Sequence, residues 1–133
     1  MIGATAVGLV QQGLYSYHHI SASIRVDTRL QADRWIKANL PRGARIAREK
    51  YTPRLNDEKF LVRRFGFWRS LKQKSALDRF DYVITSSHTY DRYYRDRKKY
   101  SEYVEFYEYM FARYECIRTF APDGVHTTGP TIK

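Results

Sequence analysis

Residues 81–94 read DYVITSSHTYDRYY, and the passage changes character half-way. Tyr82-Val83-Ile84 is a compact apolar run that suits a buried strand. Thr85-Ser86-Ser87 ends it with polar punctuation, and the two serine hydroxyls are placed to cap the helix that follows. From Tyr90 the chain turns aromatic and basic. Eight of the twelve tyrosines lie between Tyr90 and Tyr114, so fold and function both turn on what those rings touch.

Outward from this stretch, the strand over 80–86 is the clearest in the chain. Downstream, Tyr103, Phe106, Tyr107, Met110, Phe111 and Tyr114 recur at helical spacing and predict a helix over 101–115 with a complete apolar stripe. Glu102, Glu105, Glu108 and Arg113 take its other faces. CIRTFAP (116–122) reads as a strand ended by Pro122, with Cys116 buried at its start. Asp123-Gly124 marks a turn, and GPTIK (129–133) begins a last strand that is cut short.

Upstream, KFLVRRFGF (59–67) reads as a strand ending near Gly66, and 68–79 as a short helix carrying Trp68, Leu71 and Leu77. A strand around Ile46 follows the turn at Pro41-Arg42-Gly43. Before it, Ala32, Trp35, Ile36 and Leu40 fall at helical spacing. Asp27 or Thr28 caps that helix; Thr28 with Gln31 has the spacing of a capping box. The order of elements predicts an α/β fold, a small mixed or mostly parallel sheet flanked by helices, in one soluble domain over 25–133.

Residues 1–24 contain no Lys, Arg, Asp or Glu. That is close to the roughly 20 residues a membrane-spanning helix needs. The first ten residues are membrane-like, and Tyr15 and Tyr17 resemble an aromatic belt at the lipid boundary. The reading is the end of a transmembrane helix preceding the soluble domain. A globular first helix and a signal peptide cleaved near Ser21-Ala22-Ser23 are the alternatives.

The formal net charge is +10, from 24 basic and 14 acidic residues. Residues 25–99 hold 21 basic and nine acidic residues, whereas 100–133 hold three and five. A basic middle implies anionic neighbours, such as nucleic acid, acidic headgroups or phosphorylated ligands, or else a solvated face that only keeps the chain soluble.

Chemistry-bearing motifs are few. No glycine-rich phosphate loop, paired cysteines, HExxH or G-x-S-x-G occurs. One cysteine and four scattered histidines give no metal-ligand spacing, so no metal or cofactor is expected. Ser86-Ser87-His88 is adjacency in sequence, not a nucleophile–base geometry. Ligands of α/β sheets gather beyond the carboxyl ends of strands. That rule nominates Glu49, Tyr51, Ser86, Ser87, Tyr90 and Arg92. Glu49 either faces a ligand or serves a structural partner such as a nearby arginine. Tyr103, Tyr107 and Tyr114 read as core. Tyr90, Tyr93, Tyr94 and Tyr100 interleave with Arg92, Arg95, Arg97, Lys98 and Lys99. Such rings stack bases, or bury their apolar bodies at a wet boundary. Arg95, Lys98 and Lys99 are the candidate contacts with anionic headgroups.

Four segments in order carry a resemblance: DTRLQADRWIKANLPRGARI (27–46), REKYTPRL (48–55), FDYVITSSHTYDRYY (80–94) and FAPDGVHTTGPTIK (120–133). Together they resemble the C-terminal soluble region of bacterial membrane glycosyltransferases related to protein mannosyltransferases and aminoarabinose transferases (glycosyltransferase family 39-like). Asp27, Arg29, Ala32, Trp35 and Ile36 fit that region's opening D-x-R-x-x-A-x-x-W-I helix. The resemblance covers 25–133, with 1–24 as the tail of the last membrane helix.

It implies a many-helix membrane body that transfers a sugar from a polyprenyl-phosphate carrier on the extracytoplasmic (periplasmic) face. The family's catalytic carboxylate lies in an early loop of that body, which this chain lacks, so no catalytic residue carries over. The chain is then an accessory domain, not catalytic alone. Its implied partners are the membrane body and anionic headgroups or carrier phosphates. The alternative, from charge and Tyr/Arg interleaving, is a small basic α/β module for nucleic acid or another polyanion. A free-standing hydrolase using Ser86 and His88, or Glu49, is the third reading.

Overall fold

The computed structural model describes residues 25–56, 58–64, 66 and 74–133. The expectations for 1–24, Trp68 and Leu71 lie outside them. Asp27 opens the first helix, α1 (Thr28–Asn39): its carboxylate accepts from the Arg29 N–H at 2.8 Å and pairs with the Arg29 guanidinium at 2.6 Å. Asp27 is therefore the cap, one of the two residues expected. Thr28 lies inside the helix and forms no capping box; its hydroxyl donates to the Pro130 carbonyl. The helix ends ahead of Pro41, which disfavours helical backbone in the residue before it. Gly43, at φ +82°, then turns the chain into the sheet.

Three short strands make that sheet: β2 (Arg45–Arg48), β3 (Leu61–Arg64) and β4 (Tyr82–Ile84), in the order β3-β2-β4 and all parallel. Ile46 is in register with Val62 and Tyr82. A second parallel pair joins β1 (Val26–Asp27) to β5 (Thr127–Thr128). Antiparallel pairing is limited, among the described residues, to bridges from Ile132 to Ser86 and Phe120. A 3-10 helix (Lys74–Arg79), α2 (Ser87–Tyr94) and α3 (Ser101–Arg113) complete the fold. The chain is thus a mixed α/β fold, with small parallel sheets flanked by three α-helices among the described residues. No helix among the described residues is long and apolar enough to cross a membrane.

Alternation along the strands sorts two cores. Ile46, Val62, Tyr82 and Ile84 join Ala32 and Ile36 of α1, and Leu40 at its C-cap, with Leu55, Phe60 and Ile132. Val83, on the other face, joins Leu77, Tyr90, Tyr93, Val104, Phe106, Tyr107 and Met110. The tyrosine question is answered here. Tyr90 and Tyr93 are buried, and Tyr93 stacks on Tyr103 with ring centroids 4.6 Å apart and planes 16° apart. Tyr94, Tyr100 and Tyr114 pack against the same cluster. The rings hold α2 against α3.

Several expectations need correction. Residues 115–119 form no strand, and Cys116 is exposed rather than buried. An apolar pair such as Cys116-Ile117 makes a strand only beside an edge that bonds it, and Phe120 alone finds one. The last segment contributes only two isolated bridges, both at Ile132, to Ser86 and to Phe120. The unanticipated β5 follows from Asp123, whose carboxylate accepts from the backbone N–H groups of Val125, His126 and Thr127. Neither serine caps α2 with its hydroxyl. Ser86 occupies the cap position, but its own carbonyl takes the Thr89 and Tyr90 N–H groups, at 2.9 and 3.2 Å. The Ser87 hydroxyl accepts from the Thr131 N–H instead.

Candidate functional site at the carboxyl end of the sheet

Parallel strands deliver their carboxyl ends to one edge. Glu49 follows β2 there, on the face turned towards α3, and is only 2% exposed. Its Oε1 accepts from the Ser86 N–H at 2.5 Å and its Oε2 from the Tyr107 hydroxyl at 2.6 Å. Its N–H donates to the Ile84 carbonyl, and its own carbonyl accepts from the Thr52 hydroxyl. One residue thereby ties β2, β4, the start of α2 and the middle of α3 together. The structural partner expected to be an arginine is a tyrosine and a backbone amide.

Burial pushes the Glu49 carboxyl up to about 8; the two hydrogen bonds and the more distant Arg92 charge oppose that shift without cancelling it. Near neutral pH the group therefore mostly keeps its proton. Burial likewise raises Tyr90 to about 12, and it raises Tyr107 well above the ordinary tyrosine range, with the Glu49 charge adding to the effect. A carboxyl sealed from solvent and engaged at both oxygens is a clamp and offers no surface to a substrate.

The loop after Glu49 is strained. Tyr51 and Leu55 hold φ of +65° and +52°, positions that side chains rarely adopt. Thr89 fastens the loop by donating to the Lys50 carbonyl at 2.9 Å.

The six nominated residues surround this helix start, with different partners. Glu49 and Ser86 are in direct contact, and Tyr90 lies in the aromatic core beside Tyr107. Tyr51 is exposed, its ring edge-on to His88 at 5.9 Å. Ser87 serves Thr131, and exposed Arg92 donates to the Tyr93 hydroxyl at 2.8 Å. The buried Ser86 hydroxyl has no hydrogen-bond partner, so no Ser86–His88 pair forms. Arg95, Lys98 and Lys99 are exposed after α2, where neighbouring Arg97 pairs with Glu108 at 3.3 Å.

A cluster of positive charge lies on the other face of the same edge. Arg48 and Arg64, the last residues of β2 and β3, are register partners. By alternation they share the faces of Ile46 and Val62. Arg54 is close enough to act on Arg48, whose guanidinium is held below the usual arginine range by partial burial and then by the Arg64 and Arg54 charges. None of the three has an acidic partner among the described residues, whereas Arg29, Arg45, Arg97 and Arg113 all do. Sequence reading missed this trio because only the strand register brings Arg48 and Arg64 together. The arrangement suits a multiply charged oxyanion, which guanidinium groups bind by paired hydrogen bonds.

No protein-family model, curated protein or solved structure matches the chain.

Proposed function

We propose that this chain is the accessory extracytoplasmic domain of a membrane glycosyltransferase and is not catalytic alone. In this reading the carboxyl edge of its sheet meets phosphate groups at the bilayer surface, those of a polyprenyl-phosphate carrier or of anionic headgroups. The observation that carries the reading is the trio Arg48, Arg54 and Arg64, gathered without an acidic partner among the described residues where α/β sheets receive ligands. The ordered resemblance over 25–133 supplies the membrane context. The sealed Glu49 supports a non-catalytic role. Burial of Tyr90 and Tyr93 takes two of the four interleaved rings out of the stacking surface that a nucleic-acid reading would use, while the net charge of +10 serves either reading.

Vesicle flotation tests this. The chain is expected to float with phosphatidylcholine vesicles doped with phosphatidylglycerol or with a polyprenyl phosphate, and not with phosphatidylcholine alone. Tighter binding to one doped vesicle identifies the phosphate source. At about 1 kcal/mol per basic residue near an anionic surface, replacing Arg48, Arg54 and Arg64 by Gln weakens binding roughly a hundredfold. The variant R92Q/R95Q/K98Q/K99Q loses less. Unchanged flotation of the Arg48/Arg54/Arg64 variant, or equal flotation with neutral vesicles, would overturn the reading.

A further inference from the structure

Arg48, Arg54 and Arg64 are held together at a cost that no acidic partner among the described residues offsets. Arg48 and Arg64 are register partners on neighbouring parallel strands. Their Cα atoms therefore stand about 5 Å apart, and both side chains leave the same face of the sheet. Like charges so placed repel. Arg54 joins them from the loop after β2, near enough for its charge to act on Arg48.

That loop leaves the Arg54 backbone little freedom. Of residues 52–55 Arg54 alone is exposed; Thr52, Pro53 and Leu55 are buried. The Thr52 hydroxyl donates to the Glu49 carbonyl at 2.6 Å, the Thr89 hydroxyl holds the Lys50 carbonyl, and Leu55 is anchored in the α1-side core. The two left-handed residues, Tyr51 and Leu55, bracket the turn. Strain of that kind persists where the surrounding structure over-determines it, and it gathers at ligand sites. Here it fixes the backbone of a third arginine beside two that already repel each other. Cations held in place against their own repulsion are preorganised for an anion, which then spends little on ordering its donors.

We propose that the trio is a diphosphate site, selective for two linked phosphoryl groups over one. The inference rests on the phosphate reading above and narrows it. Two adjacent strand arginines present neighbouring forks to the oxygens of one phosphoryl group. Arg54, on the loop, then serves the second. The charges match as well. A phosphate monoester carries about −2 near neutral pH, one short of the trio, whereas a diphosphate ester, with one further ionised oxygen, carries about −3.

Calorimetric titration of the full chain with inorganic phosphate, inorganic pyrophosphate and citrate, at equal ionic strength, tests it. Pyrophosphate is expected to bind about tenfold or more tightly than phosphate, the worth of one added charge-assisted contact. It should also exceed citrate, which has similar charge without phosphoryl groups. Arg54→Gln should bring pyrophosphate down to the level of phosphate, and Arg64→Gln should weaken both anions. Both residues are exposed, so neither change opens the core. The variant R92Q/R95Q/K98Q/K99Q should keep the preference. Farnesyl diphosphate in phosphatidylcholine vesicles, set against uridine diphosphate in solution, tells a lipid-borne diphosphate from a soluble one; tighter binding of either supports the site. Equal affinity for pyrophosphate and phosphate, equal affinity for pyrophosphate and citrate, or a preference that survives Arg54→Gln would overturn the inference. Flotation with phosphate-doped vesicles alongside any of these results would leave the broader phosphate reading standing, and loss of flotation would remove both.

Discussion

The two faces of the sheet solve the same packing problem with different side chains. Towards α1 the core is mostly aliphatic, with Ile36, Leu40, Ile46, Leu55, Ile84 and Ile132. Towards α2 and α3 it is mostly aromatic, with Tyr90, Tyr93, Phe106 and Tyr107 beside Met110 and Leu77. An aliphatic core is held by volume and dispersion alone. A tyrosine core carries hydroxyls into the interior, and each needs a partner. The Tyr107 hydroxyl meets that need with Glu49, and the Tyr114 hydroxyl with the Leu77 carbonyl at 2.7 Å. The aromatic side is therefore where the molecule tolerates a buried titratable group, and where its stability depends on pH.

Ile46→Ala should show the largest effect. Ile46 is fully buried at the centre of the aliphatic core, and truncation there costs about 2–5 kcal/mol by urea denaturation, independent of pH. A pH-dependent loss would break the contrast between the two faces.

Glu49 comes next. Its ordinary value is 4.5 and its folded value about 8, so the folded chain binds more protons than the unfolded chain across that window. The Glu49 contribution to stability is therefore fully present below 4.5, falls as pH rises towards about 8 and is level above it. The fall amounts to several kcal/mol at about 1.4 kcal/mol per pH unit. Glu49→Gln should flatten the profile. Its amide oxygen can accept from the Ser86 N–H while its NH2 donates to the Tyr107 oxygen. A wild-type profile that is flat between these limits would contradict the assignment of the proton.

Tyr107→Phe should cost less, about 1–2 kcal/mol, by removing the donor to Glu49 Oε2. Since that bond lowers the Glu49 value, the stability fall should move to higher pH, which a titration of the unfolding midpoint reads directly. Smallest is Asp81→Asn, which breaks the exposed pair with Arg45 at 2.7 Å. Exposed pairs contribute about 0–1 kcal/mol, so a larger loss would mean that the strand edge depends on surface charge.

Much of this was legible in sequence where the signal is local. The stripe on α3, the cap at Asp27 and the run Tyr82-Val83-Ile84 each predict their element without help from distant residues. Tyr90 and Tyr93 stayed open because sequence alone does not say which face of α2 meets α3, and Arg92, beside Tyr93 in sequence, reaches its hydroxyl in space as well. Cys116 was misread because alternation says nothing about whether an edge is available to pair with. The serine hydroxyls were misread as caps because a main-chain carbonyl took the same amides. The arginine trio was invisible for the plainest reason: Arg48 and Arg64 meet only through strand register.

The most direct test compares two polyanions under one condition. The wild-type chain is titrated with phosphatidylglycerol vesicles and with a single-stranded oligonucleotide, at matched phosphate concentration and the same ionic strength, because salt weakens both. Tighter binding to the vesicles is predicted. Tighter binding to the oligonucleotide, lost again in R48Q/R54Q/R64Q, would contradict the membrane-surface reading and assign the same arginines to nucleic acid.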